Sequence, residues 1–578
     1  MKQTELSKEA LTVAQSRYFM ENETWEDCAL RCATTISAAD ANSKFKDQFF
    51  EMIYGREFLP GGRILRNSGR SRGSLFNCFH LPIGDSIEEI GQYLKDSLTL
   101  WSEGGGVGCN FSSLRPKGDT IMGKGGESSG LVSFIEAANH VSKTIESGGA
   151  RRAAAIAHVD ISHPEVIDFI NAKLVDGRLS HVNISVAINE DFLNRVETDG
   201  TWAFKFKQQT YNSMPAREIW DTIVTNMINN AEPGLLNWDK FTKNNSYYFA
   251  PVLGTNPCGE TTLEPYGVCN LGSLVLPNFI TNVNTNWKRL EQVIELGVRF
   301  LDNVTDVNKY VLTKNDIAAH ASRRIGIGVM GVADYLFAKK LRYGSEKAVI
   351  EIERLMRFIR DKVYESSIRL AVEKGSFPKF DPIPYGKASF VRKLPAAIRM
   401  DIKKHGVRNC TMMAMAPTGT ISLLADTTSG VEPLFSRAYL RSDRVGERIY
   451  VHPTYKELLD KVDDPKDVKI PDWFVDTSDL KPEDHFEIQV AIQKYVDGSV
   501  SKTINVPEET TKEDLSRLLL EYIYDLKGCT VYRDGSREGQ ILNKLNNAEV
   551  KKIMEEDREI SNSLAPDDVK CASGTCEL

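Results

Sequence analysis

A chain of 578 residues, 41% hydrophobic and 26% charged, has the composition of an ordinary soluble globular protein, which excludes the disordered and fibrous classes and leaves room for about two to four domains or one oversized domain. A net charge of −7 excludes a general electrostatic attraction to nucleic acid. The first residues, Met1-Lys2-Gln3-Thr4-Glu5, lack the apolar core of a signal peptide and no run of about 18 apolar residues occurs, so a cytoplasmic protein without membrane contact is expected.

Residues 1–58 read as an N-terminal helical region. Leu6-Ser7-Lys8-Glu9 offers a helix start, Cys28 and Cys32 take i, i+4 spacing on the core face of a helix over 25–33, and 43–52 carries a further helical pattern. Phe58-Leu59-Pro60-Gly61-Gly62-Arg63 breaks the pattern and marks a boundary. The apolar run from Ser74, closed by Pro82, predicts a buried strand carrying Cys78, and a helix over 87–101 ends at the glycines of 104–108. Further helices are predicted at 132–144, 164–172, 216–230, 288–306, 348–373 and 511–526. Strands are predicted at 182–188, 412–416 and 530–532, with a strand or loop at 153–159. This alternation argues for an α/β architecture with mainly parallel pairing, and no repeat of 20–50 residues suggests a solenoid or propeller. Residues 59–545 are taken as one catalytic domain. Residues 546–578, after a short helix over 546–557, form a polar, mobile tail ending in Cys571-Ala572-Ser573-Gly574-Thr575-Cys576-Glu577-Leu578.

The densest chemistry lies in Gly254-Thr255-Asn256-Pro257-Cys258-Gly259-Glu260. Read as an extended segment, it projects Asn256, Cys258 and Glu260 to one face, with Pro257 and Gly259 stiffening and bending the chain. A hydrogen-bonding amide, a sulfur and a general base then cover one patch of substrate. A lone cysteine is more often a core residue; the flanking polar pair and Cys269, eleven residues on, argue otherwise here.

Other glycine-rich stretches divide. Residues 104–108 lack the third glycine of a dinucleotide fingerprint and follow a helix, and 118–124 resembles a Walker loop with Gly125 where the magnesium-holding hydroxyl belongs. Pro417-Thr418-Gly419-Thr420-Ile421-Ser422 is a better phosphate turn, with small residues and hydroxyls after an apolar run, against the plain alternative of a strand–turn–helix. Gly148-Gly149-Ala150-Arg151-Arg152 sets two guanidinium groups on a flexible loop suited to a phosphate or a base edge, against the alternative of a solvated turn. The tail pair Cys571 and Cys576 has no second ligand pair for zinc, and no metal is expected; a dithiol that exchanges with a buried disulfide fits better. Its tether of about 26 residues spans about 28 Å r.m.s. as a flexible coil.

Taken in order, Phe76-Asn77-Cys78, residues 104–108 leading into Leu114-Arg115-Pro116-Lys117-Gly118, residues 148–153, Asn256-Pro257-Cys258-Gly259-Glu260 and Cys269-Asn270-Leu271-Gly272-Ser273 resemble ribonucleotide reductase. Pro417-Thr418-Gly419-Thr420-Ile421-Ser422, Ser429-Gly430-Val431-Glu432-Pro433, Tyr532-Arg533-Asp534-Gly535-Ser536 and the terminal cysteines extend the resemblance over most of the chain. It implies a ten-stranded α/β barrel with a finger loop through its centre and Cys258 at the tip. In the chemistry it implies, Cys258 becomes a thiyl radical that abstracts the ribose 3′-hydrogen, Glu260 takes the 3′-hydroxyl proton and Asn256 positions the sugar. Cys78 and Cys269 would supply the reducing equivalents by closing a disulfide. Cys571 and Cys576 would reopen it and be reduced by a thioredoxin- or glutaredoxin-like partner.

The resemblance also bears on subclass. The form that works with a separate di-metal radical subunit passes its radical through two consecutive tyrosines, and Thr530-Val531-Tyr532-Arg533-Asp534 has one; the glycyl-radical form needs an Arg-Val-x-Gly-Tyr-like element, which is absent. Val500-Ser501-Lys502-Thr503-Ile504-Asn505 and residues 532–536 are similar to the adenosylcobalamin-dependent class, so adenosylcobalamin is the expected cofactor, with the two-subunit enzyme as the alternative and a non-catalytic nucleotide-binding redox protein as the remote one. A deoxynucleotide or ATP effector is expected near 87–101 and 132–144, where a homodimer interface would form, although Asn139 and Ser142 stand where relatives often carry Asp and Thr. The short N-terminal region leaves no room for an added ATP-binding activity domain.

Overall fold

The computed structural model describes residues 5–41, 44–121, 123, 125–147, 151–175, 177–443, 446–536, 542–545 and 549–552. The chain divides into two compact units. One comprises residues up to Pro433 together with Leu480–Arg537; the other comprises Leu434–Asp479 and the chain from 538 onward. The second unit, by itself, carries an antiparallel sheet of Ala438–Asp443, Gly446–Val451 and Leu542–Lys544, and a helix Pro453–Leu459.

The first unit opens with helices α1 (Lys8–Arg17), α2 (Trp25–Ser37) and α3 (Lys44–Tyr54). Ser7 caps α1 by accepting from the Ala10 N–H, and Thr24 and Asp27 form a reciprocal capping box on α2, satisfying donors that a helix start leaves open. Cys28 and Cys32 face inward and are fully buried.

A ten-stranded sheet follows: β1 (Phe58–Pro60), β2 (Cys78–His80), β3 (Gly106–Asn110), β4 (Ala154–Asp160), β5 (Asn183–Ile188), β6 (Gly234–Asn237), β7 (Val268–Val275), β8 (Ile325–Met330), β9 (Thr503–Val506) and β10 (Gly528–Arg533). The order is β1-β7-β2-β3-β4-β5-β6-β10-β9, and β8 pairs with β7. Pairing is parallel from β2 through β6, between β7 and β8, and between β9 and β10. It is antiparallel where β7 meets β1 and β2 and where β6 meets β10. Beyond β8, Ile327 bridges Met413, and Met415 bridges Val500 shortly before β9. The α/β class, the ten strands and the mainly parallel pairing agree with the sequence reading.

The segment 412–416 departs from its expectation as a strand, being paired only at those isolated bridges. The buried Asp497 carboxylate accepts the N–H groups of Met412 and Met413 at 2.9 and 2.8 Å, which takes them out of a ladder. The amphipathic helices are found close to where their periodicity puts them, as at Ala216–Asn230 and Glu346–Lys374. No helix among the described residues is long and apolar enough to cross a membrane.

Candidate active site

A short hairpin, Gly254–Thr255 paired with Thr262–Leu263, carries Asn256, Cys258 and Glu260 at its tip. The stretch is a tight turn and not the extended segment expected. The Gly259 N–H donates to the Asn256 carbonyl at 3.0 Å, Pro257 presets the second position, and Gly259 takes φ +75°. Asn256 and Glu260 are therefore tucked in, each 1% exposed, while Cys258 stands out at the apex.

The hairpin lies close against the sheet. At Gly108 in β3 a Cβ would sit 1.8 Å from the Thr255 carbonyl oxygen, so only glycine lets the hairpin run there. At its root, Gly254 lies against His80 and His158, both fully buried and held neutral by burial, with pKa values lowered to about 3 and about 4.

Two sulfurs converge below the tip. Cys78 in β2 and Cys269 in β7 are partners in register. They share an apolar cluster with Leu263, Leu271 and Ala414. The Asn256 amide donates to Cys78 Sγ at 3.2 Å, the Cys78 thiol points to Glu260 Oε1 at 3.8 Å, and Asn256 Oδ1 accepts from the Thr261 N–H at 3.0 Å. Glu260 Oε2 is buried without a hydrogen-bond partner among the described residues. Burial pushes the Glu260 carboxyl above its usual range against the opposing effect of Asn256. Burial, followed by the Glu260 charge, raises the Cys78 thiol, and burial raises Cys269. The site thus holds a buried carboxyl and two buried thiols side by side.

A cavity of about 240 Å³ opens over this cluster, lined by Asn256, Cys258, Glu260 and Cys78 on one side and residues 416–421 on the other. The Thr418 hydroxyl accepts from the Gly430 N–H at 2.7 Å, which fixes the 417–421 turn against the Ser429-Gly430-Val431-Glu432-Pro433 stretch. Ser422 is fully buried and bonds Ser429 Oγ at 2.9 Å, away from the cavity. Tyr18, Arg63, Asn77 and Ser273 also line the cavity and were missed in the sequence reading. Arg63 is the only lysine or arginine among the described residues that line it; its one sequence signal is the Pro60-Gly61-Gly62 break before it.

A second cavity, of about 270 Å³, also reaches Cys258. It is lined by Ser185, Glu232, Gly234, residues 499–503 and the start of β10. Ser499 Oγ is buried there without a partner, and Val531 in β10 is fully buried. Residues 148–150 and Cys571 and Cys576 lie outside the described residues. Arg151 and Arg152 form a two-residue strand paired with Glu146–Ser147. Asn139 and Ser142 are buried, and Asn139 accepts from the His181 N–H.

Two family models match the chain: ribonucleotide reductase, all-alpha domain, over residues 4–73, and ribonucleotide reductase, barrel domain, over residues 76–532. The chain is 35% identical to the vitamin B12-dependent ribonucleoside-diphosphate reductase of Mycobacterium tuberculosis, an alignment covering 99% of this chain and 84% of the relative. It is 34% identical to the enzyme of the same description from Thermoplasma acidophilum, over 92% of this chain and 72% of the relative. It is 25% identical to the ribonucleoside-diphosphate reductase subunit alpha of Chlamydia muridarum, over 84% of this chain and 54% of the relative.

Proposed function

The chain belongs to the ribonucleotide reductase family, and we propose that it converts ribonucleoside diphosphates to 2′-deoxyribonucleotides by thiyl-radical chemistry at Cys258 with adenosylcobalamin as its cofactor. The observation that carries this is the convergence, around one cavity, of the exposed Cys258 thiol, the buried Glu260 carboxyl and the Cys78 thiol, which is paired in register with Cys269 behind it. The diphosphate and the cofactor are those for which the relatives above 30% identity are named. The subunit-alpha relatives are more distant, and the two-subunit alternative is correspondingly less supported.

The second cavity suits the adenosyl arm of the cofactor. It adjoins Cys258, offers the hydroxyls of Ser185, Ser499, Ser501 and Thr503 to a ribose and a base, and includes an unpartnered buried Ser499 Oγ. Its 500–503 segment is part of the stretch that resembles the cobalamin-dependent class. Adenosylcobalamin, when bound, supplies through its weak cobalt–carbon bond the one-electron oxidising power that no side chain generates alone.

In the proposed cycle Cys258 loses a hydrogen atom and its sulfur takes the 3′-hydrogen of the ribose. The Glu260 carboxylate, desolvated and close to the sugar, accepts the 3′-hydroxyl proton, while Asn256 orients the ring. The 2′-hydroxyl leaves as water, Cys78 and Cys269 give up two protons and two electrons as a disulfide forms between them, and Cys258 returns the hydrogen to the 3′-carbon. Residues 417–421 hold the phosphates, with Arg63 supplying positive charge. Cys571 and Cys576 reopen the disulfide and are recharged by a thioredoxin- or glutaredoxin-like protein in the cytoplasm, where thiols are kept reduced. A homodimer regulated by a deoxynucleotide or ATP bound near the 148–152 loop completes the reading.

The test is Cys258→Ser. An O–H bond is too strong for the exchange, so this variant should fold and bind nucleotide without turnover, and substantial product from it would remove Cys258 from its role.

A further inference from the structure

Next to the facing thiols, one strand further along the sheet, lies a buried arginine with an unused donor. β7 and β8 run parallel with Asn270 opposite Ile325, so the preceding residues, Cys269 and Arg324, are neighbours across the two strands on one face. Cys78 lies opposite Cys269 on its other side, so Cys269 stands between Cys78 in β2 and Arg324, the residue just before β8. Arg324 is 3% exposed. Its Nη2 donates to Glu264 Oε2 and its Nη1 to Thr411 Oγ1, each at 2.6 Å, and its buried Nε–H has no partner among the described residues.

A buried unpaired donor is costly, and a guanidinium cannot relieve the cost by losing its proton. The charged and titratable groups that act on Arg324 or respond to it are the Glu264 carboxylate, the Cys269 and Cys410 thiols, Tyr247 and Lys527. Glu260 and Asp497 act in turn on Cys269 and Cys410. Arg324 opposes the effect of burial on Cys269 more strongly than any other neighbour, and Cys410 is pushed up to about 12.

We propose that Arg324 is a positioning residue for the reductive half of the cycle: it holds Cys269 as the leaving thiolate when a dithiol opens the Cys78–Cys269 disulfide, which directs attack to Cys78. This rests on the reading of Cys78 and Cys269 as the reducing pair. Access agrees with the direction of attack, because Cys78 lines the first cavity, whereas Cys269 does not and is fully buried. The thiolate of the dithiol attacks Cys78 Sγ, the Sγ–Sγ bond breaks, and its electron pair stays on Cys269 beside the guanidinium. The second thiol of the reductant, deprotonated, attacks the mixed disulfide and expels Cys78 as thiolate. The two protons of the dithiol end on Cys78 and Cys269, and the reductant leaves as a disulfide. A more acidic leaving thiol departs faster, which is the gain that Arg324 supplies.

The test uses the full chain with Cys571→Ser and Cys576→Ser, so that only the added reductant opens the bond. The protein is oxidised by turnover without reductant, then treated with dithiothreitol between about pH 6.5 and 9, alkylated at intervals and mapped at Cys78 and Cys269. Arg324→Gln should slow opening about tenfold, with the deficit widest at low pH, and Arg324→Lys should restore most of the rate. Glu264→Gln, which removes the carboxylate competing for the guanidinium, should speed opening. If Arg324→Gln folds poorly, Glu264→Gln decides alone: a faster rate supports the inference, and an unchanged or slower one overturns it. Equal rates in wild type and Arg324→Gln across the pH range overturn the inference and leave the reducing pair standing. If no Cys78–Cys269 disulfide forms in any variant, the reading of the pair fails and the inference fails with it.

Discussion

Cys78 and Cys269 stand directly opposite each other in the antiparallel register of β2 and β7, both as free thiols. Residues so placed have Cα atoms about 4.5–5.5 Å apart. That range falls inside the window of about 4.4–6.8 Å that a disulfide requires. That spacing is compatible with a disulfide between them, as the proposed role of a reagent used once per turnover requires.

One cycle without reductant should accordingly leave a Cys78–Cys269 disulfide, read by peptide mapping. Cys78→Ser or Cys269→Ser should bring steady-state turnover to background. Cys571→Ser with Cys576→Ser should abolish turnover driven by a thioredoxin-like protein and keep turnover driven by dithiothreitol, which can enter the cavity directly. Unlinked Cys78 and Cys269 after a cycle would contradict the assignment.

Glu260 gives a pH signature. Burial holds its carboxyl above the usual range, and it serves as a base only when ionised, so kcat/KM should fall as pH drops through that raised value, earlier than for an exposed carboxylate. Asn256 favours the ionised form, so Asn256→Ala should move this acid limb to still higher pH. Glu260→Gln should cost about 10²–10⁴ in rate. A pH–rate profile with no acid limb, or one indifferent to Asn256→Ala, would count against the base.

Arg63 should act on binding. As the only lysine or arginine among the described residues lining the first cavity, it would contribute a charge-assisted bond worth about 1.5–3 kcal/mol to an anionic substrate. Arg63→Gln should then raise KM roughly 10- to 100-fold, with a much smaller change in kcat, in steady-state assays with a ribonucleoside diphosphate. An unchanged KM would place Arg63 away from the phosphates.

What was legible in the sequence was local or periodic. The helix at Ala216–Asn230 follows from its amphipathic period, and Ser7 and Thr24 start helices with their own side chains. What was not legible depends on distant partners. The parity rule that put Asn256, Cys258 and Glu260 on one face assumes an extended chain, and Pro257 with Gly259 turns it instead. The 412–416 strand is interrupted by Asp497, some 85 residues away, which takes its N–H groups. Arg63 and Arg324 belong to no motif; the cavity and the strand register bring them to the thiols. Gly106 and Gly108 could have been read, since glycines two apart leave one face of a strand bare for another backbone to approach.

Adenosylcobalamin as the source of the Cys258 radical can be put to a single assay. The purified chain is given a ribonucleoside diphosphate and dithiothreitol, with and without adenosylcobalamin, and deoxynucleotide is measured. Turnover that depends on adenosylcobalamin and needs no second protein is the predicted result. A chain that stays inert with the cobalamin and becomes active on adding a di-metal radical subunit would contradict it.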